Sequence, residues 1–347
     1  MSKKPIITPK LEAQTFDFIG HDAVEKTFLD AYRSGRMPHA WILAGLEGVG
    51  KAGFALRAAR FLLAHPDASH PDVIAAENLD VSPDNPAARR IAARAHTDLF
   101  FLESEIDGEK KTKSGTIPVD DVRKMLGFFG STAGEGGWKI AIIDPLDDLK
   151  SSAANALLKM LEEPPPRSLF LMISHNPGRL LPTIRSRCHM VRFKPLSESE
   201  IVKALVSQSP GNDQKLLQDA ARRGVGSVKR AMNYLDGERM AMVRDIEATL
   251  ERLPDLDRKH LLAMADHFAK KDGAESFSLF IETVDEWIAQ MCREDAKRGH
   301  HALRALAELW EKFTLNARMT DIYNLDRRPF FITMMNDLAD VLRGARA

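Results

Sequence analysis

The chain has 347 residues, 44% hydrophobic and 28% charged, the make-up of an ordinary globular protein with room for two or three domains. Lys plus Arg equals Asp plus Glu at 49 each, so global charge does not mark a free-standing nucleic-acid binder and leaves any such contact to a local patch. The two cysteines, Cys188 and Cys292, cannot form a multi-thiolate zinc site, and the eleven histidines lack metal-ligand spacing along the sequence.

Met1 to Glu12, with Pro5 and Pro9, reads as a mobile arm without the pattern of a secretory leader. No apolar run is long enough to cross a bilayer, so the expected location is cytoplasmic, with no membrane partner. From Phe18 a helix begins, with Val24, Phe28 and Leu29 on one side, and Met37-Pro38-His39 breaks the pattern. Ala40–Ala44 is an apolar strand that runs at once into G-L-E-G-V-G-K-A and a helix through Ala55, Leu56, Ala59, Leu62 and Leu63.

Between strand and helix, Gly45, Gly50 and Lys51 fit a phosphate-binding loop. Glycines let N–H groups turn inward, the helix start adds positive potential, and the lysine reaches the outer phosphates. The position after the lysine, where a Ser or Thr hydroxyl would hold Mg²⁺, is Ala52. Two readings therefore stand: a degenerate nucleotide site, or a strand-to-helix turn kept for its shape.

Residues 65–95, with four prolines, read as surface loop and short helix, followed by a strand at 98–102. Ser104–Thr116 is a polar loop whose lysines are either solvated or turned toward DNA. Ile117 begins a helix that ends before Gly130, and a glycine-rich link, 131–137, follows. Ile140–Ile143 then forms a doubly buried strand ending in Asp144, and Ser151 and Ser152 are placed to cap a helix carrying Ala154, Leu157, Leu158 and Leu161. Pro164, Pro165 and Pro166 stop that helix, and the next strand, Leu169–Ile173, ends in Ser174, His175 and Asn176. With a last strand near Met190 this makes five strands separated by helices, a parallel doubly wound α/β sheet with polar groups at the carboxyl ends of two neighbouring strands.

Beyond Lys194 a small helical lid is expected, with Ser197 and Glu200 in capping-box spacing, and only helices follow from Arg239. Phe277, Phe280, Ile281, Val284, Ile288 and Met291 form one apolar stripe, and Leu303, Leu306, Trp310 and Phe313 another. Asn324 to Pro329 caps the last helix. The stripes fit a bundle core and also a subunit interface. The expected domains are 1–193, 194–238 and 239–347.

On F-I-G-H-D-A-V, P-H-A-W-I-L-A-G-L-E-G-V-G-K, A-A-N-A-L-L-K-M-L-E-E-P-P, S-H-N-P and L-P-T-I-R-S-R-C, the chain resembles the clamp-loader branch of the AAA+ family, and within it the δ′ family. The resemblance implies an AAA+ sheet domain, a helical lid and an all-α collar. It also implies a degenerate nucleotide site at Gly45, Gly48, Gly50, Lys51, Asp144, Asn176 and Lys229, the last in the lid motif G-S-V-K-R-A-M, holding ATP or ADP without hydrolysis or nothing at all. No cofactor is required.

Where hydrolysing relatives have a water-orienting glutamate after Asp144, this chain has Pro145, so with Ala52 two catalytic groups are missing. Many relatives carry a four-cysteine zinc module; 65–102 has no cysteine, so no zinc is expected and no metal residue is assigned. The residue that would act is Arg187 in S-R-C, an arginine finger reaching ATP on a neighbouring subunit, with an internal salt bridge as the alternative and Arg185 a second candidate. The implied partners are the γ/τ and δ subunits in a five-membered ring, with the sliding clamp and primed DNA met through the complex. Two other functions compete: a γ/τ-like motor hydrolysing ATP through Lys51 and Asp144, and a free-standing DNA adaptor.

Overall fold

The computed structural model describes residues 18–103, 117–130, 137–270, 273–298, 302–322 and 325–346. The N-terminal arm, the polar loop 104–116 and positions 131–136 of the glycine-rich link lie outside the described residues. The chain divides into two compact units, Met1–Met232 and Asn233–Ala347.

The first unit is built on five strands, β1 (Ala40–Ala44), β2 (Leu99–Glu103), β3 (Lys139–Asp144), β4 (Ser168–Ser174) and β5 (His189–Arg192). All pair in parallel in the order β2-β3-β4-β1-β5. Central β1 and β4 are buried along their whole length, as their continuous apolar runs require in a sheet covered on both faces. The two-residue period splits β1 between the faces. Ala40, Ile42 and Ala44 join a core cluster with helices α5 (Val119–Phe129) and α6 (Ser151–Glu162), while Trp41 packs on Phe28 of α1 (Asp22–Arg33), ring centroids 5.0 Å apart. Helix α2 (Lys51–Ala64) follows β1, and the short helices α3 (Pro71–Ala75) and α4 (Pro86–Ala92) occupy the proline-rich connection.

One capping expectation is corrected. Ser151 and Ser152 lie inside the first turn of α6, and the N-cap is Lys150 with no side-chain cap bond. Leu149 is held in a bridge to Ile117, so the chain is free to turn into the helix one residue before the serines. After β5, α8 (Glu198–Gln208) starts with the capping box that Ser197 and Glu200 predict, followed by α9 (Gln214–Arg223) and α10 (Val228–Asn233). The four-residue α7 (Pro182–Arg185) lies between β4 and β5.

The second unit is helical, comprising α11 (Gly237–Glu251), α12 (Arg258–Ala269), α13 (Ala274–Arg298), α14 (Ala302–Ile322) and α15 (Arg327–Arg346). Its core is aromatic: Phe268 stacks within 6 Å of Phe277, Phe280 and Phe331. Leu306 and Phe313 of the second predicted stripe are buried, but Trp310 is 39% exposed. Its indole N–H donates to the Asp285 carboxylate, which keeps the polar edge of the ring at the rim. Asp326 caps α15 by accepting from the Arg328 N–H. No described helix is long and apolar enough to cross a membrane.

Candidate functional site

The turn between β1 and α2 folds around its own lysine. Lys51 is 3% exposed, and its ammonium donates to the carbonyls of Gly45, at 2.7 Å, and Leu46, at 2.6 Å. Burial lowers the lysine pKa from its ordinary 10.5 to about 8, against the pull of Asp144, Glu47 and Asp147. Because the folded value lies below the unfolded one, the unfolded chain binds more protons between about pH 8 and pH 10.5, and stability rises with pH through that window. Lys51→Met removes this term. Wild type is expected to gain about 3 kcal/mol on the variant between pH 7 and pH 11, measured as the difference between denaturant midpoints; parallel pH profiles would refute it.

The lid closes over the turn. Gly48, at φ +74°, leaves no room for a side chain: a Cβ there would meet Lys229 Cβ at 2.3 Å and Ser227 Oγ at 2.5 Å. The Val228 N–H donates to the Gly48 carbonyl at 3.0 Å, the Ser227 hydroxyl donates to the Glu47 carbonyl at 2.8 Å, and the Lys229 ammonium pairs with the Glu47 carboxylate. Lys229 and the loop are therefore brought together, across 182 residues of sequence. Glu47 and Ser227 were not singled out from sequence; a carboxylate inside a glycine-rich phosphate-type loop was the available signal.

At the carboxyl ends of the strands, Asp144 ends β3 beside the end of β4. Asp147, three residues on, is fully engaged: it accepts from the Ser174 hydroxyl at 3.0 Å, the His175 N–H at 2.6 Å and the Asn176 N–H at 3.1 Å. A carboxylate accepting three bonds from the end of a strand braces that strand. His175 is held neutral, its pKa lowered to about 4 by burial and then by the Lys51 charge. Asn176 is exposed.

Arg187 lies apart from this cluster, on the turn that α7 makes into β5. Its backbone N–H donates to the Ile184 carbonyl at 3.1 Å, and Ile184 and Cys188 on either side pack into the core. Burial pushes the Cys188 thiol up to about 12, so it stays protonated and acts as an apolar anchor. The guanidinium is held by two elements: Nη2 pairs with Glu162 Oε1 at 2.7 Å and Nη1 donates to the Thr183 carbonyl at 2.9 Å. The pair is open to solvent, side chains 35% and 50% exposed, so it is worth about 0–1 kcal/mol. Glu162 is the last residue of α6, where the helix dipole disfavours a carboxylate by about 0.3–1 kcal/mol. The two contributions offset each other. Arg185 is exposed.

For a metal, the fold supplies a grouping that sequence spacing did not show. Ligand atoms of His65, His70 and Asp72 all lie within 4.8 Å of one another, because the turn between α2 and α3 folds back on itself. His70 already caps α3, its Nδ1 accepting from the Asp72 N–H at 3.3 Å, and both His70 and Asp72 are exposed.

The fold and loop define a parallel five-stranded α/β domain with a P-loop-type turn between β1 and α2 and a small helical lid packed on that turn. A family model described as DNA polymerase III, delta subunit, matches residues 20–197, just over half the chain, and the chain belongs to that family. Among relatives, DNA polymerase III subunit delta′ of Escherichia coli is 30% identical over 273 residues, covering 78% of this chain and 74% of that one. The delta′ subunit of Pseudomonas aeruginosa is 41% identical over 151 residues, 43% of this chain and less than half, 41%, of the relative. The tau subunit of Escherichia coli is 27% identical over 82% of this chain and 43% of its own length. Among solved structures, a DNA polymerase III gamma subunit-related protein of Thermotoga maritima aligns over 90% of this chain and 99% of its own, with TM-score 0.42 and 16% identity.

Proposed function

We propose that this chain is a δ′-type subunit of the DNA polymerase III clamp loader that does not hydrolyse ATP itself and helps load the sliding clamp onto primed DNA. Arg187 serves as an arginine finger for ATP bound to a neighbouring subunit. The observation that carries this reading is the contrast between the two candidate cations: Lys51 is buried and consumed by its own loop carbonyls, whereas the Arg187 guanidinium, paired with Glu162, stands at the surface on a braced turn.

A nucleoside triphosphate would meet competition in the loop as it is arranged. It would have to draw Lys51 off two carbonyls and displace Ser227 and Lys229 from above Gly48. It would then find no hydroxyl at Ala52 and Pro145 where a water-orienting carboxylate would stand. Asp147 does not substitute, since strand-end donors hold its carboxylate. The partners in this reading are the γ/τ and δ subunits, the helical second unit serves as the collar, and the chain requires neither nucleotide nor zinc.

The test is ATP turnover by the pure chain, followed by its co-purification with γ/τ and δ. Background turnover with stable incorporation into the complex is expected. Appreciable turnover abolished by Lys51→Ala would overturn the reading in favour of a γ/τ-like motor. For zinc, substoichiometric metal after purification and an unchanged Tm in EDTA are expected; one zinc per chain, lost on His65→Ala, would contradict it.

A further inference from the structure

Glu162 sits where neither its helix nor its ion pair gives the fold a reason to keep a carboxylate, since the dipole penalty and the value of an exposed pair are of similar size. What the pair does supply is direction. An arginine side chain has many rotamers, and an exposed one ordinarily samples them. Here the guanidinium plane is fixed from two sides, by the Glu162 carboxylate at the end of α6 and by the Thr183 carbonyl in α7. Nη1 also reaches the Ser186 hydroxyl at 3.4 Å. Among the described residues this commits one edge of the fork and leaves Nε–H and the second Nη2 hydrogen for another acceptor.

The mounting itself is rigid. Helix α6 is stopped at Glu162 by the three-proline run, and Ala153, Ala154, Leu157 and Leu161 bury its opposite face in the core. The turn bearing Arg187 is pinned by Ile184 and Cys188. Both ends of the ion pair thus stand on the same packed cluster, and the carboxylate sets the angle at which the guanidinium leaves the surface.

We propose that Glu162 is a positioning residue for Arg187, orienting its free edge toward the terminal phosphate of a nucleoside triphosphate held by the adjoining subunit. This rests on the arginine-finger reading above. Glu162 touches neither nucleotide nor reacting water and acts only through the guanidinium. Loss of its charge leaves the finger present but misdirected, a defect that lowers turnover without weakening nucleotide binding.

The experiment uses the reconstituted clamp loader with the other ATP sites silenced by substitution of their own loop lysines, so that phosphate release reports the site facing Arg187. Glu162→Gln is expected to lower kcat about 10- to 100-fold, with KM for ATP and the Tm of the chain unchanged. Glu162→Asp is expected to recover part of the loss, and Glu162→Gln to add nothing in an Arg187→Ala background. An unchanged kcat in Glu162→Gln beside a large loss in Arg187→Ala would overturn the positioning role and leave the finger intact. No loss in Arg187→Ala would overturn the finger, and this inference with it. Additive losses in the double variant would assign Glu162 a role independent of Arg187 and so overturn the proposal.

Discussion

Arg187→Ala is expected to cut ATP turnover at the neighbouring site about 10³-fold or more, the worth of an arginine finger supplied in trans, while the ring still assembles. The magnitude follows from what the guanidinium would do, neutralising charge that develops on the transferred phosphoryl group in a site from which water is excluded. Assembly should survive because Arg187 contributes little to the fold: its ion pair with Glu162 is half in solvent, and its turn is held by Ile184 and Cys188. Arg187→Lys keeps the charge but loses the planar fork that Glu162 and Thr183 grip from two sides, so most of the loss should persist. Phosphate release in a complex with the other sites silenced, together with size-exclusion analysis of the assembled ring, checks both halves. Unchanged phosphate release would reject the finger, and loss of the ring would make Arg187 an assembly residue instead.

The elements were most legible where one local rule dominated. Ala40–Ala44 is a strand over the whole predicted range, because a short apolar run bounded by Pro38 and Gly45 admits little else. The capping box at Ser197 and Glu200 forms as its spacing requires. Where two local signals competed, tertiary structure decided: next to the bridge between Ile117 and Leu149, Lys150 takes the N-cap position of α6 and the serines fall in its first turn. The Asp285 carboxylate likewise draws the edge of Trp310 out of a stripe that periodicity alone would bury. In the candidate site, glycine spacing located the loop, but what holds it was hidden. The contact of Glu47 with Ser227 and Lys229 and that of Glu162 with Arg187 join residues 180, 182 and 25 positions apart, and neither helical nor strand periodicity relates such pairs. Asp147 is instructive in the same way. It lies three residues past Asp144, and three donors at the end of β4, two of them backbone N–H groups, make it a brace.

Gly48→Ala is the substitution that separates the loop's shape from its chemistry, and its expected effect is release of the lid with the sheet intact. At φ +74° a residue with a Cβ is strained by about 1–2 kcal/mol, and the added methyl also overlaps Lys229 Cβ and Ser227 Oγ. Relieving that overlap inside a packed site costs a further ~1–3 kcal/mol, a sum of about 2–5 kcal/mol. Opposing it are three contacts that the lid makes with the loop: Val228 N–H to Gly48, the Ser227 hydroxyl to Glu47, and the Lys229 to Glu47 ion pair. At about 1 kcal/mol per hydrogen bond and 0–1 for a half-exposed pair the latch is worth about 2–3 kcal/mol; the overlap, the part of the cost that moving the lid relieves, is of the same size, so the substitution cancels most of what holds the lid down. Amide exchange at Val228 should then rise by at least one order of magnitude while the buried amides of β1 and β4 keep their protection. If Val228 stays protected and the whole unit loses stability together, the lid and sheet form one cooperative block, and the latch has no separate existence.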